Sequence, residues 1–275
     1  MRRVTARASS LQLVSIAGVV VVLGVMLSWL WLSLDAPIVV RAGELATVVH
    51  VALTGALAMT LVVIATWRDE SRTLSLGLVR TPVGAALGWG LAGVVASYVL
   101  STVAVGIYFA VSWFVSTIPS ASTHLSHVVD TAGPLSPSGG VVGRELANKA
   151  EWASQLARIP LVWALPIAVF AGAYEEILFR GFVLGRLRVA LGRLQPRRRD
   201  VIAVLSSAAL FSAGHGYQGG LGLAQTFAAG VVLALLTVWR GSLWSAIIAH
   251  VAIDTFGLVA LHVLHPMLER LQHTR

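Results

Sequence analysis

A chain of 275 residues that is 57% apolar and only 12% charged, with a mean hydropathy of +0.82, lies far from the balance of a soluble globular domain and leaves no room for a sizeable aqueous one. The formal net charge of +8 resides largely in arginines set in short segments between apolar runs, a pattern of membrane topology that argues against nucleic acid as a partner. With no cysteine, disulfides, thiolate zinc sites and a cysteine nucleophile are excluded, so any chemistry falls to carboxylate, imidazole, hydroxyl or water.

Apolar tracts long enough to span a bilayer, about 20 residues each, recur along nearly the whole chain. Arg2, Arg3 and Arg7 precede the first, residues 11–34, which is too long for the apolar core of a signal peptide and lacks a small-residue cleavage site. It reads as a retained span. The second tract covers residues 45–67. The third, residues 83–115, is over-long for one snug span and short for two. Residues 116–158 form a loop rich in Ser, Pro, Gly and Thr, with a helix-compatible piece over 142–157 that could rest on the surface. Span four begins after Pro160 and ends near Leu184; the fifth covers residues 201–215, the sixth 221–239 and the seventh 243–264. The expected fold is an all-α, polytopic transmembrane helix bundle of seven spans, or eight if the third tract divides. Its expected organisation is three or four N-terminal spans plus the outer loop (1–159), a four-helix region (160–265) and a short tail (266–275).

An inside N-terminus puts residues 1–10, 68–80, 186–200 and the turn at Arg240 in the cytoplasm, and these segments hold the arginine clusters. Residues 186–200 alone contain Arg186, Arg188, Arg193, Arg197, Arg198 and Arg199, whereas the long outer loop balances Arg144, Lys149 and Arg158 against three acids. Tryptophans agree: Trp29, Trp31, Trp113 and Trp163 fall near one boundary, and Trp67, Trp239 and Trp244 near the other. The chain is expected to be an integral, multi-pass cell-membrane protein with a cytoplasmic N-terminus and the lipid bilayer as its surroundings.

Ionisable residues inside the last four spans carry the functional signal, because a charge at the bilayer centre costs at least ~2.5 kcal/mol. Span four contains Tyr174-Glu175-Glu176-Ile-Leu-Phe-Arg180. Glu176 and Arg180, four apart, share a helix face and form the expected salt bridge. Adjacent acids point about 100° apart, so Glu175 is left unpaired and the two carboxylates are not expected to serve the same neighbour. An arginine partner lets one carboxylate stay ionised while the other is tuned as acid or base. Span five contributes Phe211 and His215 on one face, and span seven His250 and Asp254, whose plain reading is a self-satisfied pair. At the helical rise, Glu175 lies ~16 Å, His215 ~22 Å, His250 ~14 Å and Asp254 ~20 Å from the cytoplasmic ends of their helices. All four land in one mid-membrane layer, as a site would require.

The order Glu-Glu-x-x-x-Arg, Phe-x-x-x-His, His-x-x-x-Asp, over residues 174–254 and in three separate spans, resembles the CPBP family of intramembrane proteases, which includes the type II CAAX prenyl endopeptidases and bacteriocin-processing or self-immunity proteins. The resemblance implies that Glu175 and His215 activate the attacking water, and that His250 and Asp254 steady the oxyanion or help hold a metal. It implies that Glu176 and Arg180 shape the first of these helices. Asp254 stands where the prenyl endopeptidases favour asparagine, which puts a neutral oxyanion donor in doubt unless the aspartate is protonated.

The chemistry is consistent with that family. Intramembrane peptide hydrolysis needs a water-admitting pocket, a base and groups facing the tetrahedral oxyanion. Glu175, His215, His250 and Asp254 could also ligate Zn²⁺ with an open position for water, although no His-Glu-x-x-His motif is present and a metal-free mechanism fits equally well. The expected partner is a membrane-associated peptide or protein, prenylated in one branch of the family. Rival readings are an ion-coupled transporter, since a buried Glu/His/Asp layer also suits a proton relay, and a non-catalytic immunity or scaffold protein. His50 is expected to be a core histidine; His124, His127, His262, His265 and His273 are expected to be loop or solvated residues outside the site.

Overall fold

The computed structural model describes residues 37–67, 76–116, 145, 149, 153, 154 and 156–273. The first expected span, residues 11–34, and most of the outer loop lie outside them. All regular structure among the described residues is helical: α1 (Pro37–Ala65), α2 (Val83–Ser116), α3 (Leu161–Glu176), a π-helical segment (Ile177–Val183), α4 (Leu184–Ala190), α5 (Pro196–Ala213), a 3₁₀ turn (Gly216–Gln218), α6 (Gly219–Arg240) and α7 (Trp244–His273).

Among the described residues four helical stretches are long and apolar enough to cross a membrane: Val83–Val115, Leu161–Ala190, Gly216–Arg240 and Trp244–Leu264. They coincide with expected spans three, four, six and seven. The tract over which seven and eight spans hinged is one unbroken helix of 34 residues, α2. In α1 the apolar stretch Val51–Ala65 is shorter. The fifth expected span does not reach that standard. Pro196 opens α5 with Arg197, Arg198, Arg199 and Asp200 in its first turns, leaving 13 residues to Ala213, or ~20 Å of helix. The expected count of seven or eight is therefore not reached among the described residues.

Helix α2 lies along α6 and α7, α6 also packs on α5, α7 on α3, and α3 on α1. Small residues set the closest crossings. A Cβ added to Gly172 of α3 would come within 3.1 Å of the Val251 backbone nitrogen on α7, and one on Gly230 of α6 within 3.2 Å of Ala208 and Phe211 on α5. Such contacts bring backbones near enough for short polar side chains to meet across helices.

At one end of the bundle the arginines find partners. Asp200 accepts from Arg199 Nε at 2.8 Å and from Arg188 Nε at 2.9 Å, joining α4 to the start of α5. Arg186 donates to the Ala65 carbonyl at 3.3 Å, and Arg240 lies over the Trp89 ring at 5.0 Å. At the other end His262 differs from its expected solvated state. It is half-buried, with Nδ1 2.7 Å from the Leu258 carbonyl and Nε2 2.6 Å from that of Ile159, so it ties α7 to the chain entering α3.

Candidate active site

The polar layer is built by α3, α5 and α7. The Glu176 carboxylate is fully buried. Its Oε1 accepts from Arg180 Nη1 at 2.7 Å and lies 2.7 Å from His250 Nδ1. Arg180 Nη2 donates to the Gly230 carbonyl at 3.2 Å, and the guanidinium sits 4.2 Å over the Phe211 ring. The expected pairing of Glu176 with Arg180 is present, but not on an α-helix. The chain passes into a π-helical turn at Ile177, a wider ladder that the motif spacing does not reveal. The Phe179 carbonyl in that turn accepts from Ser207 Oγ of α5 at 2.8 Å, anchoring the segment against the helix that leads to His215.

Glu175 points into the same space. Its Oε2 is 3.9 Å from His215 Nε2 and 3.8 Å from His250 Nε2, and His250 Nε2 is 3.6 Å from Asp254 Oδ2. The expectation that the adjacent acids cannot serve the same neighbour is corrected only as to direction: Glu176 hydrogen-bonds His250, and Glu175 faces the same ring at 3.8 Å without bonding it. Both meet His250, one at each ring nitrogen, because an imidazole carries polar atoms on opposite edges and spans the angle between two successive side chains. The self-satisfied His250–Asp254 pair is corrected as well: at 3.6 Å it is not a hydrogen bond, and Nδ1 is taken by Glu176.

His215 lies just beyond the end of α5, since the helix stops at Ala213. Its Nδ1 is 2.9 Å from the Phe211 carbonyl and must donate there. In the neutral tautomer this leaves the lone pair at Nε2, the atom that faces Glu175. Phe211 packs between the imidazoles, 4.6 Å from His215 and 5.6 Å from His250 by ring centroids. Two neighbours were not anticipated. Tyr174 donates its hydroxyl to Glu175 Oε1 at 3.2 Å, and the Tyr217 ring lies 6.0 Å from that of His215. Sequence spacing offers no signal for the first, because successive helix residues do not face each other.

Glu175 Oε2, Asp254 Oδ2 and the two Nε2 atoms thus converge at separations of 3.6–3.9 Å, too far for direct hydrogen bonds and suited to a bridging water. They adjoin a cavity of about 260 Å³ lined by His215, His250 and Asp254 together with Ser97, Gln225 and Thr226. Among the described residues no group of three or more His, Asp or Glu side chains is gathered closely enough to hold a metal ion as it stands.

Residues 157–256 match the family model of type II CAAX prenyl endopeptidases, Rce1-like. The match agrees with the resemblance carried by the three motifs and encloses Glu175, His215, His250 and Asp254. It covers little more than a third of the chain. No curated protein and no solved structure matches. A protease family and four helices suited to crossing a membrane together make this an integral membrane protein.

Proposed function

We propose that this protein is an intramembrane endopeptidase that hydrolyses a peptide bond in a membrane-associated peptide or protein, with Glu175 and His215 activating the water. The observation that carries the reading is the convergence of His215 Nε2 and His250 Nε2 on one oxygen of Glu175. A water between Glu175 and His215 has an acceptor for each proton, and a carboxylate in reach takes one as the oxygen attacks the carbonyl carbon. Opposite, the Glu176 oxygen that accepts from Arg180 also accepts from His250 Nδ1, which fixes the proton there. When His250 is doubly protonated, its Nε2–H is available to the oxyanion, with Asp254 beside it. Collapse breaks the C–N bond, and the proton held by Glu175 passes to the leaving amine. The matched family's description is of CAAX prenyl endopeptidases, which makes prenylated CAAX peptides the substrate class to try first.

The test compares newly formed peptide termini, by mass spectrometry, in membranes containing wild type or Glu175→Ala at matched abundance. Termini specific to wild type, reduced at least ~10²-fold in the variant and insensitive to a zinc chelator, support side-chain-driven proteolysis. Equal patterns from two folded proteins move the reading to a non-catalytic immunity or scaffold protein, or to an ion-coupled transporter, which proton-dependent uptake would detect. Chelator-sensitive termini would assign the water activation to a metal.

A further inference from the structure

The cavity lined by His215, His250 and Asp254 is walled on one side by α2, which lies outside the family-matched residues. Ser97 of α2 is 2% exposed, lines that cavity and has a hydroxyl with no hydrogen-bond partner. A hydroxyl within an apolar helix ordinarily turns back to the carbonyl four residues earlier. This chain follows that habit repeatedly: Thr60 bonds Ala56, Thr66 bonds Val62, Thr102 bonds Tyr98, Thr226 bonds Gly222 and Thr237 bonds Leu233. Ser97 does not. Its polar neighbours on the cavity wall are satisfied: Ser101 donates to the Gln225 carbonyl at 3.2 Å, Lys149 donates to the Gln225 side chain, and Gln218 donates to Tyr217. Among the described residues Ser245 Oγ, Glu176 Oε2, Arg180 Nε and Arg240 Nε share the lack of a partner, but none of these residues lines this cavity.

An unpaired buried hydroxyl is costly in the resting protein and is retained at little expense only if something pairs with it during function. We propose that Ser97 is a substrate-binding residue, its hydroxyl hydrogen-bonding the backbone of a peptide lying in the cavity between α2 and the Glu175–His215–His250 cluster. This rests on the protease reading. It assigns α2 the role of an opposing wall that fixes the peptide in register, while α3, α5 and α7 supply the reacting groups. A peptide backbone is the chemistry that fits, because it brings donors and acceptors regardless of side chain and a serine hydroxyl can serve as either.

The probe is an internally quenched farnesylated peptide ending in cysteine, two aliphatic residues and methionine, cleaved by full-length protein in lipid–detergent micelles. Ser97→Ala should raise KM roughly 2- to 12-fold, the effect of one lost hydrogen bond, with little change in kcat. Its thermal midpoint should be unchanged or higher, since the substitution removes an unpaired polar group. A merely structural serine gives the reverse: a lower midpoint with unchanged KM, which overturns the proposal. If Ser97→Ala fails to accumulate, Ser97→Cys keeps the size and donates only weakly, so it should show the same rise in KM; an unchanged KM there also overturns it. Wild type and Glu175→Ala that are equally inactive on the probe and yield equal peptide termini in membranes would instead sink the protease reading, and the substrate site with it.

Discussion

His250 is the residue on which the polar layer turns. Its Nδ1 meets Glu176, itself held by Arg180, and its Nε2 faces Glu175 and Asp254. The four candidate residues were legible in the sequence as ionisable groups in apolar runs. The division between the two glutamates was only half legible, because helical spacing gives directions from the axis and not the reach of a ring placed between them. Asp254 shows what such a position demands. In the proposed reaction it stands beside the oxyanion, where only its protonated carboxyl can donate, so Asp254→Asn, which always carries a donor, should hold turnover within ~10-fold of wild type while Asp254→Ala loses roughly 10²- to 10³-fold, as removal of an oxyanion donor does. Cleavage rates of the two variants on one substrate check this, and an asparagine variant as slow as the alanine one would refute it.

Among the elements, the helix ends and the π turn were the least readable. Motif spacing treats residues 160–184 as one α-helix, yet the chain widens between Ile177 and Val183 where Arg180 is drawn to Gly230 and Phe211. Likewise α5 stops before His215, because the residues that follow, Gly214 and Gly216, are poor helix formers and His215 bonds back to Phe211. The crossing of α3 and α7 has a sharper consequence. Gly172 sits three residues before Glu175 and one turn from it, against Val251, the neighbour of His250. A leucine there must push the helices apart, at a cost of about 1–3 kcal/mol in overpacking, and displace the carboxylates from the imidazole. Gly172→Leu should lower the thermal midpoint and cut hydrolysis by ~10²-fold, whereas Gly172→Ala should do less of both. Thermal unfolding and turnover measured side by side test the pair.

Across the whole molecule, the arginine-rich end and the polar layer are built from different residues. Hydrogen bonds from Arg199, and then Arg188, hold the Asp200 carboxyl below its ordinary value of 3.8. A depressed carboxylate contributes stability that is fully present above the unfolded value and is lost as pH falls through the folded one. Asp200→Asn should therefore lower the thermal midpoint slightly at pH 7, by no more than ~1 kcal/mol equivalent for so exposed a pair. The difference from wild type should vanish at strongly acid pH. Midpoints of both proteins across that range decide it, and a gap that persists in acid would mean the contribution is not ionic.

Composition and apolar periodicity determined that this protein is helical and membrane-embedded, and motif order determined which residues form the polar layer, because hydropathy and i,i+4 spacing act within a single helix. How many helices are long enough to cross, which nitrogen of His250 each carboxylate meets, and that α2 closes the cavity with Ser97 were decided only by tertiary structure. Those depend on approach between segments far apart in sequence, set by glycine contacts and by where helices end, and no local pattern encodes them.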